Sequence, residues 1–221
     1  MLPRVLEPEV MDSAEEARDY DAMDHSAVNQ AFAADFRAVW NGWNPVLDVG
    51  TGTAQIPIEL CRQAPSAEVV GIDLAGHMLR LAAENVRRAG CEQRIRLQQV
   101  DAKGLPFADA AFGAVMSNSI VHHIPEPAAV LAEMARVTKP GGTIFVRDLL
   151  RPPDRTALRQ LVDTYAGDAN DHQRQLFAAS LHAALTLAEI RALVAALGFD
   201  PDTVQQTTDR HWTWATVRGD T

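Results

Sequence analysis

The 221-residue chain reads as an α/β protein built on a mostly parallel sheet with helices on both faces. Three observations predict this. Between Pro45 and Asp148, short apolar runs alternate with helix-length amphipathic segments, the rhythm of βαβ units. The first run, Val46–Val49, opens into Gly50-Thr51-Gly52, a paired-glycine turn that lets a ligand approach backbone N–H groups at a helix start. Carboxylates recur where the runs end, at Asp48, Asp73, Asp101 and Asp148.

Taken in order, residues 1–44 carry no strand pattern. Ala14 to Tyr20 is polar and helical, and a second helix runs from Ser26 to about Trp40, with Val28, Phe32, Phe36 and Val39 on one face. The polar joint between them, Tyr20 to His25, reads either as a helix connection capped by Asp24 or Ser26 or as a lid over the glycine loop. Val46–Val49 is the first strand and Ala54–Ala64 its helix. Glu68–Ile72 is the second strand, ending in Asp73, and Leu74–Ala89 its helix, stopped by Gly90. Ile95–Val100 is the third strand and Phe112–Ser117 the fourth. Helix Pro127–Val137 stops at a turn, Lys139-Pro140-Gly141-Gly142, before the fifth strand, Thr143–Asp148. Residues 151–185 break the rhythm with helical pieces at Asp154–Tyr165 and His172–Ala184. Thr186 and Glu189 form a capping box for a helix ending near Gly198, and Thr203–Asp209 with Trp212–Val217 make two closing strands, giving seven. The reading is one domain over residues 1–221: an N-terminal helical lid over 1–44, a ligand-binding core over 45–150, a helical cap insertion after strand 5 over 151–185, and a closing helix and hairpin over 186–221.

The net charge of −9 argues against a broad phosphate-binding surface. Cys61 and Cys91 lack metal-ligand spacing and read as structural thiols of a reducing compartment. No apolar run approaches the ~18 residues of a membrane span, and Met1-Leu2-Pro3-Arg4 opens no signal-peptide core, so the expected location is cytoplasmic.

In open α/β sheets the ligand lies outside the carboxyl ends of the strands. Asp73 follows Gly52 by 21 positions, at the end of the second strand, where a carboxylate can accept both ribose hydroxyls. That leaves a dinucleotide or an adenosyl sulfonium. A dinucleotide wants a third glycine where Gln55 stands, and its pyrophosphate would be repelled by Asp48; an amino-acid ammonium would be attracted. Asp101-Ala102 offers an acceptor and a backbone donor to an adenine edge.

These residues resemble a known family. The stretch from Val46 to Thr53 is similar to the first motif of the class I S-adenosylmethionine-dependent methyltransferases, of the ubiquinone/menaquinone-type small-molecule group. Val70-Gly71-Ile72-Asp73-Leu74 resembles the second motif and Gln99-Val100-Asp101-Ala102 the third. Leu105-Pro106-Phe107, Asp109 with Phe112, Ser117-Asn118, His122-His123-Ile124-Pro125 and the segment from Arg136 to Gly142 match later ones, so the likeness covers roughly 45–148. It implies a Rossmann-like fold and S-adenosyl-L-methionine as methyl donor. It further implies that Asp48 and Gly50, with Thr51 and Gly52, lie near the methionyl end. Asp73 would take the ribose, Leu74 and Met78 would flank the adenine, Asp101 and Ala102 would meet its edge, and Ser117 and Asn118 would face the sulfonium. Tyr20 and Met23 match the family's N-terminal lid. Ala54 departs from a frequent glycine.

Methyl transfer from a sulfonium is an in-line displacement that rests on alignment, with a general base needed where the acceptor carries a proton. His122 and His123 follow the fourth strand end and suit that task, the bland alternative being that one packs beneath the loop. The acceptor is expected under the 151–185 cap, met by Arg147, Asp148, Tyr165, Arg174 and His182. Asp168, His172 and the Asp209–Trp212 stretch are further polar candidates, and Arg147 or Arg174 suits an acidic acceptor. A metal gathered by His122, His123, Asp148, His182 and His211 lacks a contiguous ligand motif, and no metal is assigned. Ser117-Asn118-Ser119-Ile120 lacks the Asn/Asp-Pro-Pro-aromatic pattern for methylating an extruded base, so nucleic acid is disfavoured and a small molecule favoured. The assembly considered is a homodimer. Two other readings stay open: a noncatalytic adenosyl-ligand binding protein or partner subunit, and a nicotinamide oxidoreductase.

Overall fold

The computed structural model describes residues 2–7, 15, 17–18, 21 and 25–219. Its elements are α1 (Ser26–Val39), β1 (Val46–Val49), α2 (Gln55–Gln63), β2 (Val69–Asp73), α3 (Gly76–Arg88), β3 (Ile95–Gln99), β4 (Phe112–Asn118), α4 (Pro127–Val137) and β5 (Thr138–Leu149). They continue with α5 (Arg155–Tyr165), α6 (Asp171–Ala183), α7 (Leu187–Ala196), β6 (Val204–Gln206) and β7 (His211–Val217). The seven strands form one sheet in the order β3-β2-β1-β4-β5-β7-β6. β1 pairs in parallel with both β2 and β4, and β2 with β3, whereas β6 and β7 pair antiparallel. Strand order reverses between β1 and β4, the switch point at which open α/β sheets bind ligands.

The chain groups into two compact units. The larger falls within residues 10–118, 132–146 and 215–221, the smaller within 1–9, 119–131 and 147–214.

In the larger unit all four residues of β1 are buried, as a central parallel strand covered on both faces requires. α1 lays Phe32 and Phe36 edge-on to Phe145 of β5, with centroids 5.2 and 5.9 Å apart, whereas Val28 and Val39, expected on the same face, are exposed. Ser26 is the first residue within α1 rather than its cap; His25 occupies the cap and makes no side-chain cap bond. Gly90, at φ +64°, ends α3 as expected. Arg136 binds the carboxylates of Glu133 and Asp109 and the carbonyls of Leu105 and Phe107, which explains these residues as a clamp on the turn before β4. One boundary differs. Lys139 to Gly142, expected as a turn, lies inside β5 because its backbone finds a partner: Gly141 N donates to Arg218 O and Arg218 N to Gly142 O. The Arg218 guanidinium also donates to the carbonyls of Arg136 and Thr138.

In the smaller unit α5 and α6 pack through Leu158, Val162, Leu181 and Ala184, joined by Leu149 and Leu2. The predicted capping box forms, with Thr186 Oγ1 accepting from Glu189 N and Glu189 Oε2 accepting from Thr186 N. Asp154 and Asn170 cap α5 and α6. The segment 2–7 is laid against the same unit. Leu2 N donates to Pro153 O and Val5 N to His182 O, and the Arg4 guanidinium donates to the carbonyls of His122, Ile124, Pro125 and Ala183.

Candidate functional site

The β1–α2 loop of the larger unit is anchored to the end of β2. Gly50 N and Thr51 N both donate to Ile72 O, at 2.9 and 2.8 Å, and Gly52 N donates to Asp73 Oδ2 at 2.8 Å. Asp73 Oδ1 accepts from Ala75 N at 2.9 Å. Gly50 and Gly52 adopt φ of +76° and +53°, and Ala54 follows at +63°, where a Cβ costs about 1–2 kcal/mol. Ala54 therefore keeps the loop's path at an energetic cost that glycine would avoid. Behind the loop, a Cβ on Gly71 would meet Thr51 Oγ1 at 2.7 Å, so β2 needs glycine there to seat the loop.

A cavity of about 210 Å³ opens at this loop. Of the predicted site residues it brings together Gly50, Thr51, Gly52 and Asn118. Asp21, His25, Asn29, Thr53 and Gln55 also line it and were not among the residues assigned to the site from the sequence. Asp21 Oδ1 accepts from Asn85 Nδ2 at 2.8 Å and from Gln55 Nε2 at 3.2 Å, and Asn85 also donates to Thr53 O. The polar joint before α1 carried a signal for Asp21, which docks beside the glycine loop. Nothing in the sequence signalled Asn85, buried within α3. Tyr20 and Met23, the lid residues expected from the resemblance, lie outside the described residues, as do Asp24 and the ends of the predicted helix Ala14–Tyr20.

The other predicted cofactor residues do not line this cavity. Asp48 is 2% exposed, and burial pushes its carboxyl up to about 7, the Asp73 carboxylate adding to the rise and the Thr51 hydroxyl opposing it. The charge argument from the sequence is thus weakened near neutral pH until a cation arrives. Ser117 Oγ donates to Val49 O at 2.8 Å and is wholly buried. Met78 packs with Ala75 and Ala17, whereas Leu74 is exposed. Asp101 is exposed; its Oδ1 accepts from Lys103 N, which holds its carboxyl below the usual range, and pairs with Lys103 Nζ at 3.1 Å. Ala102 is half-buried beside it.

These residues fit an adenosyl sulfonium in two respects. The loop carries backbone but no large side chain into the cavity, and Thr53 Oγ1 is buried with no hydrogen-bond partner among the described residues. Such an orphan beside a ligand loop awaits a polar group.

In the smaller unit, the 3₁₀ turn Val121–His123 follows β4 and packs around Asp148. Asp148 Oδ2 accepts from Val121 N at 2.5 Å and His122 N at 3.3 Å; its Oδ1 lies 2.5 Å from His122 Nδ1 and accepts from Leu149 N. This fixes the His122 proton on Nδ1 and turns Nε2 toward Glu7 Oε1, 3.4 Å away. His123 Nδ1 lies 3.1 Å from the same oxygen. Burial alone would lower the His122 pKa, but the carboxylates of Asp148 and Glu7 overcome it and the net shift is upward. Asp148 shows the converse: burial would raise it, and His122 with the backbone donors leaves it lowered. Burial raises Glu7. Sequence reasoning found the histidines and Asp148 but missed Glu7, which lies over a hundred positions away in a segment with no pattern.

The expected acceptor residues are dispersed within this unit. Tyr165 OH donates to Asp209 Oδ2 at 2.7 Å and its ring lies 3.3 Å beneath the Arg210 guanidinium. Arg174 is engaged by Asp163 at 2.5 Å and the carbonyls of Ala166 and Gly167. Arg147 Nε donates to Thr213 Oγ1. His182 is half-buried, with no hydrogen-bond partner for Nδ1 among the described residues. Asp168 and His172 are exposed. Burial, with Arg210 and Arg147 nearby, pushes His211 down to about 4.

Comparison with known proteins agrees with this geometry. Residues 46–142 match the methyltransferase-domain family. A demethylmenaquinone methyltransferase of Porphyromonas gingivalis is 39% identical over 108 residues, 48% of this chain and 44% of that protein. A phosphatidylethanolamine N-methyltransferase of Cereibacter sphaeroides is 40% identical over 102 residues, 46% and 48% of the two chains. This chain thus spans about half the length of the curated relatives it matches. A solved S-adenosylmethionine-dependent methyltransferase from Aquifex aeolicus shares the fold over 93% of this chain and 98% of its own, with a TM-score of 0.68 at 17% identity. The segment 46–142 therefore matches a methyltransferase domain, and the chain shares the fold of that solved methyltransferase. The named enzymes it is similar to include the quinone methyltransferases.

Proposed function

We propose that the whole chain transfers a methyl group from S-adenosylmethionine to a small-molecule acceptor. The observation that carries this is the Asp73-anchored glycine loop opening onto a polar cavity beside Asn118, inside the segment that matches the methyltransferase domain. When bound, the donor supplies a methyl carbon on a positively charged sulfur, a strong electrophile with a good leaving group. In this reading Gly50, Thr51 and Gly52 present backbone to its amino-acid end and Asp48 answers its ammonium. Asp73 takes the ribose, Leu74 and Met78 hold the adenine, Asp101 with Ala102 meets its edge, and Ser117 with Asn118 borders the sulfonium. Tyr20 and Met23 complete the assignment as a lid.

His122, its Nδ1 proton held by Asp148, is the base we assign where the acceptor loses a proton, with His123 beside it. Arg147, Tyr165 and His182 remain the side chains assigned to the acceptor. The internal pairing of Arg174 and Asp148 gives these two a supporting part instead. The two relatives above are named for a quinone precursor and a phospholipid amine, which supports a small organic acceptor and leaves its reacting atom open. No helix among the described residues is long and apolar enough to cross a membrane, and both cysteines are free and buried, which supports a cytoplasmic setting.

Calorimetry with S-adenosylmethionine, S-adenosylhomocysteine and NAD tests the donor; binding of NAD alone would overturn the reading. Incubation with labelled methyl donor and a metabolite extract tests the transfer. Donor binding with no protein-dependent incorporation under varied conditions would make the chain a binding module.

A further inference from the structure

Glu7, His122 and His123 place three ligand-type side chains around one point within the smaller unit, with one donor atom from each lying within 4.8 Å of the others. All three are substantially buried, with side-chain exposures of 9%, 4% and 23%. We propose that they form a binding site for one first-row divalent transition-metal ion, zinc being the ion whose preferences the set fits.

The distances suit such an ion. A metal about 2.0–2.1 Å from each of its donors in a tetrahedral arrangement holds those donors about 3.3–3.4 Å apart. Glu7 Oε1 stands 3.4 Å from His122 Nε2 and 3.1 Å from His123 Nδ1. The two rings lie side by side, with centroids 4.2 Å apart and planes tilted by 34°.

The supporting contacts are those a ligating histidine requires. A metal-bound imidazole donates its second N–H to a carboxylate or carbonyl, which fixes its tautomer and aim. His122 does so to Asp148, and Asp148 is itself fixed by the backbone N–H groups of Val121 and Leu149. Glu7 is held on its other side by Ser180 Oγ, which lies 3.2 Å from Oε2. Two buried carboxylates, Glu7 and Asp148, balance one dication with both imidazoles neutral. Two imidazoles and one carboxylate with a position left open is the donor set of catalytic zinc sites and suits borderline metals more than magnesium, which prefers oxygen alone. One neighbour opposes a cation: the Arg4 guanidinium, tied to the His122, Ile124, Pro125 and Ala183 carbonyls. It shapes the turn but adds positive charge nearby, so a divalent ion must gain enough from the two carboxylates to offset it.

This inference does not rest on the methyl-transfer reading, and it restricts one assignment of it: with Nδ1 held by Asp148 and Nε2 on the metal, His122 serves as the acceptor's base only in metal-free protein. The test uses the full chain stripped with EDTA and then titrated with Zn²⁺, Co²⁺ and Mg²⁺, metal content being read by mass spectrometry after desalting. One equivalent of Zn²⁺ is expected, with no retained Mg²⁺. His123→Ala and Glu7→Gln should weaken Zn²⁺ at least as much as the ~10–100-fold that loss of a supporting partner causes. Circular dichroism and S-adenosylhomocysteine binding of the variants report whether the fold survives. Wild-type Co²⁺ spectra give a readout free of mutation, and the visible bands of a four-coordinate nitrogen and oxygen site are expected. Absence of stoichiometric Zn²⁺ binding, affinity unchanged in the folded variants, or Co²⁺ spectra of the hexahydrate type would each overturn the proposal. The three side chains would then be a hydrogen-bonded network centred on His122.

Discussion

Gly52 and Asp73, 21 residues apart, are joined by a 2.8 Å hydrogen bond from the Gly52 amide to Asp73 Oδ2. The residue assigned to the ribose is therefore also the post on which the glycine loop hangs, and its Oδ1 begins α3 through Ala75 N. Asp73→Ala leaves two backbone donors without their acceptor, at about 1–3 kcal/mol each if they stay dry. We expect loss of S-adenosylhomocysteine binding by calorimetry together with a lower urea midpoint. Asp73→Asn, which keeps an acceptor for one of the two donors and sets its NH2 against the other, should recover part of the stability and little of the affinity. Wild-type affinity in Asp73→Ala would contradict the ribose assignment.

Asp48 makes the opposite case, a buried carboxyl whose folded pKa is pushed up to about 7. The folded state then binds more protons than the unfolded chain between about pH 4 and 7, so this group's contribution falls as pH rises through that window. A rise of that size is worth about 4 kcal/mol. Asp48→Asn should raise the stability of the ligand-free protein at pH 8 by about 2–4 kcal/mol and flatten its pH dependence above pH 4. The same variant should bind S-adenosylmethionine at least tenfold more weakly. Denaturation at pH 5 and pH 8, with calorimetry alongside, reads both effects.

The His122–Asp148 pair titrates at both ends. His122, raised above 6.5, contributes stability that is fully present below that value and lost as pH rises through its folded pKa. Asp148, lowered below 3.8, contributes stability present above that value and lost as pH falls through its folded pKa. In metal-free protein, Asp148→Asn should remove the alkaline loss and bring the His122 titration below its ordinary range, as histidine NMR signals would record. An unmoved His122 titration would refute the pairing.

Ala54 is the place to relieve strain, since it holds a left-handed φ of +63° while fully buried. Ala54→Gly removes the Cβ penalty but also a packed methyl and some unfolded-state restraint, so its stability should stay within about 1 kcal/mol of wild type. Ala54→Val puts a branched side chain into the same conformation and should lose more than about 2 kcal/mol in thermal or urea denaturation.

Much of this architecture is legible from local signals. Val46–Val49, Pro127–Val137 and the Thr186/Glu189 box were readable because periodicity and capping act over a few residues. The Lys139–Gly142 segment was not. Two glycines and a proline spell a turn locally, and only Arg218, far along the chain, supplies the ladder that makes it strand. The site divides in the same way. The glycine loop and Asp73 follow from spacing, and Asn118 from its strand end. Asn85 and Glu7 depend on contacts across 64 and over 100 positions that no short pattern encodes, whereas Asp21 lay in the polar joint that carried a signal.

The pairing of Arg218 with Gly141 and Gly142, and of Leu2 and Val5 with Pro153 and His182, also bears on biosynthesis. Domains are generally finished from the N-terminus as they leave the ribosome. Here the segment 2–7 must wait for partners far later in the chain, and the start of β5 gains its edge partner only when Arg218 has emerged. Neither unit is therefore complete until these later partners have emerged, and until then the Gly-rich start of β5 is an open edge on which a chaperone can act.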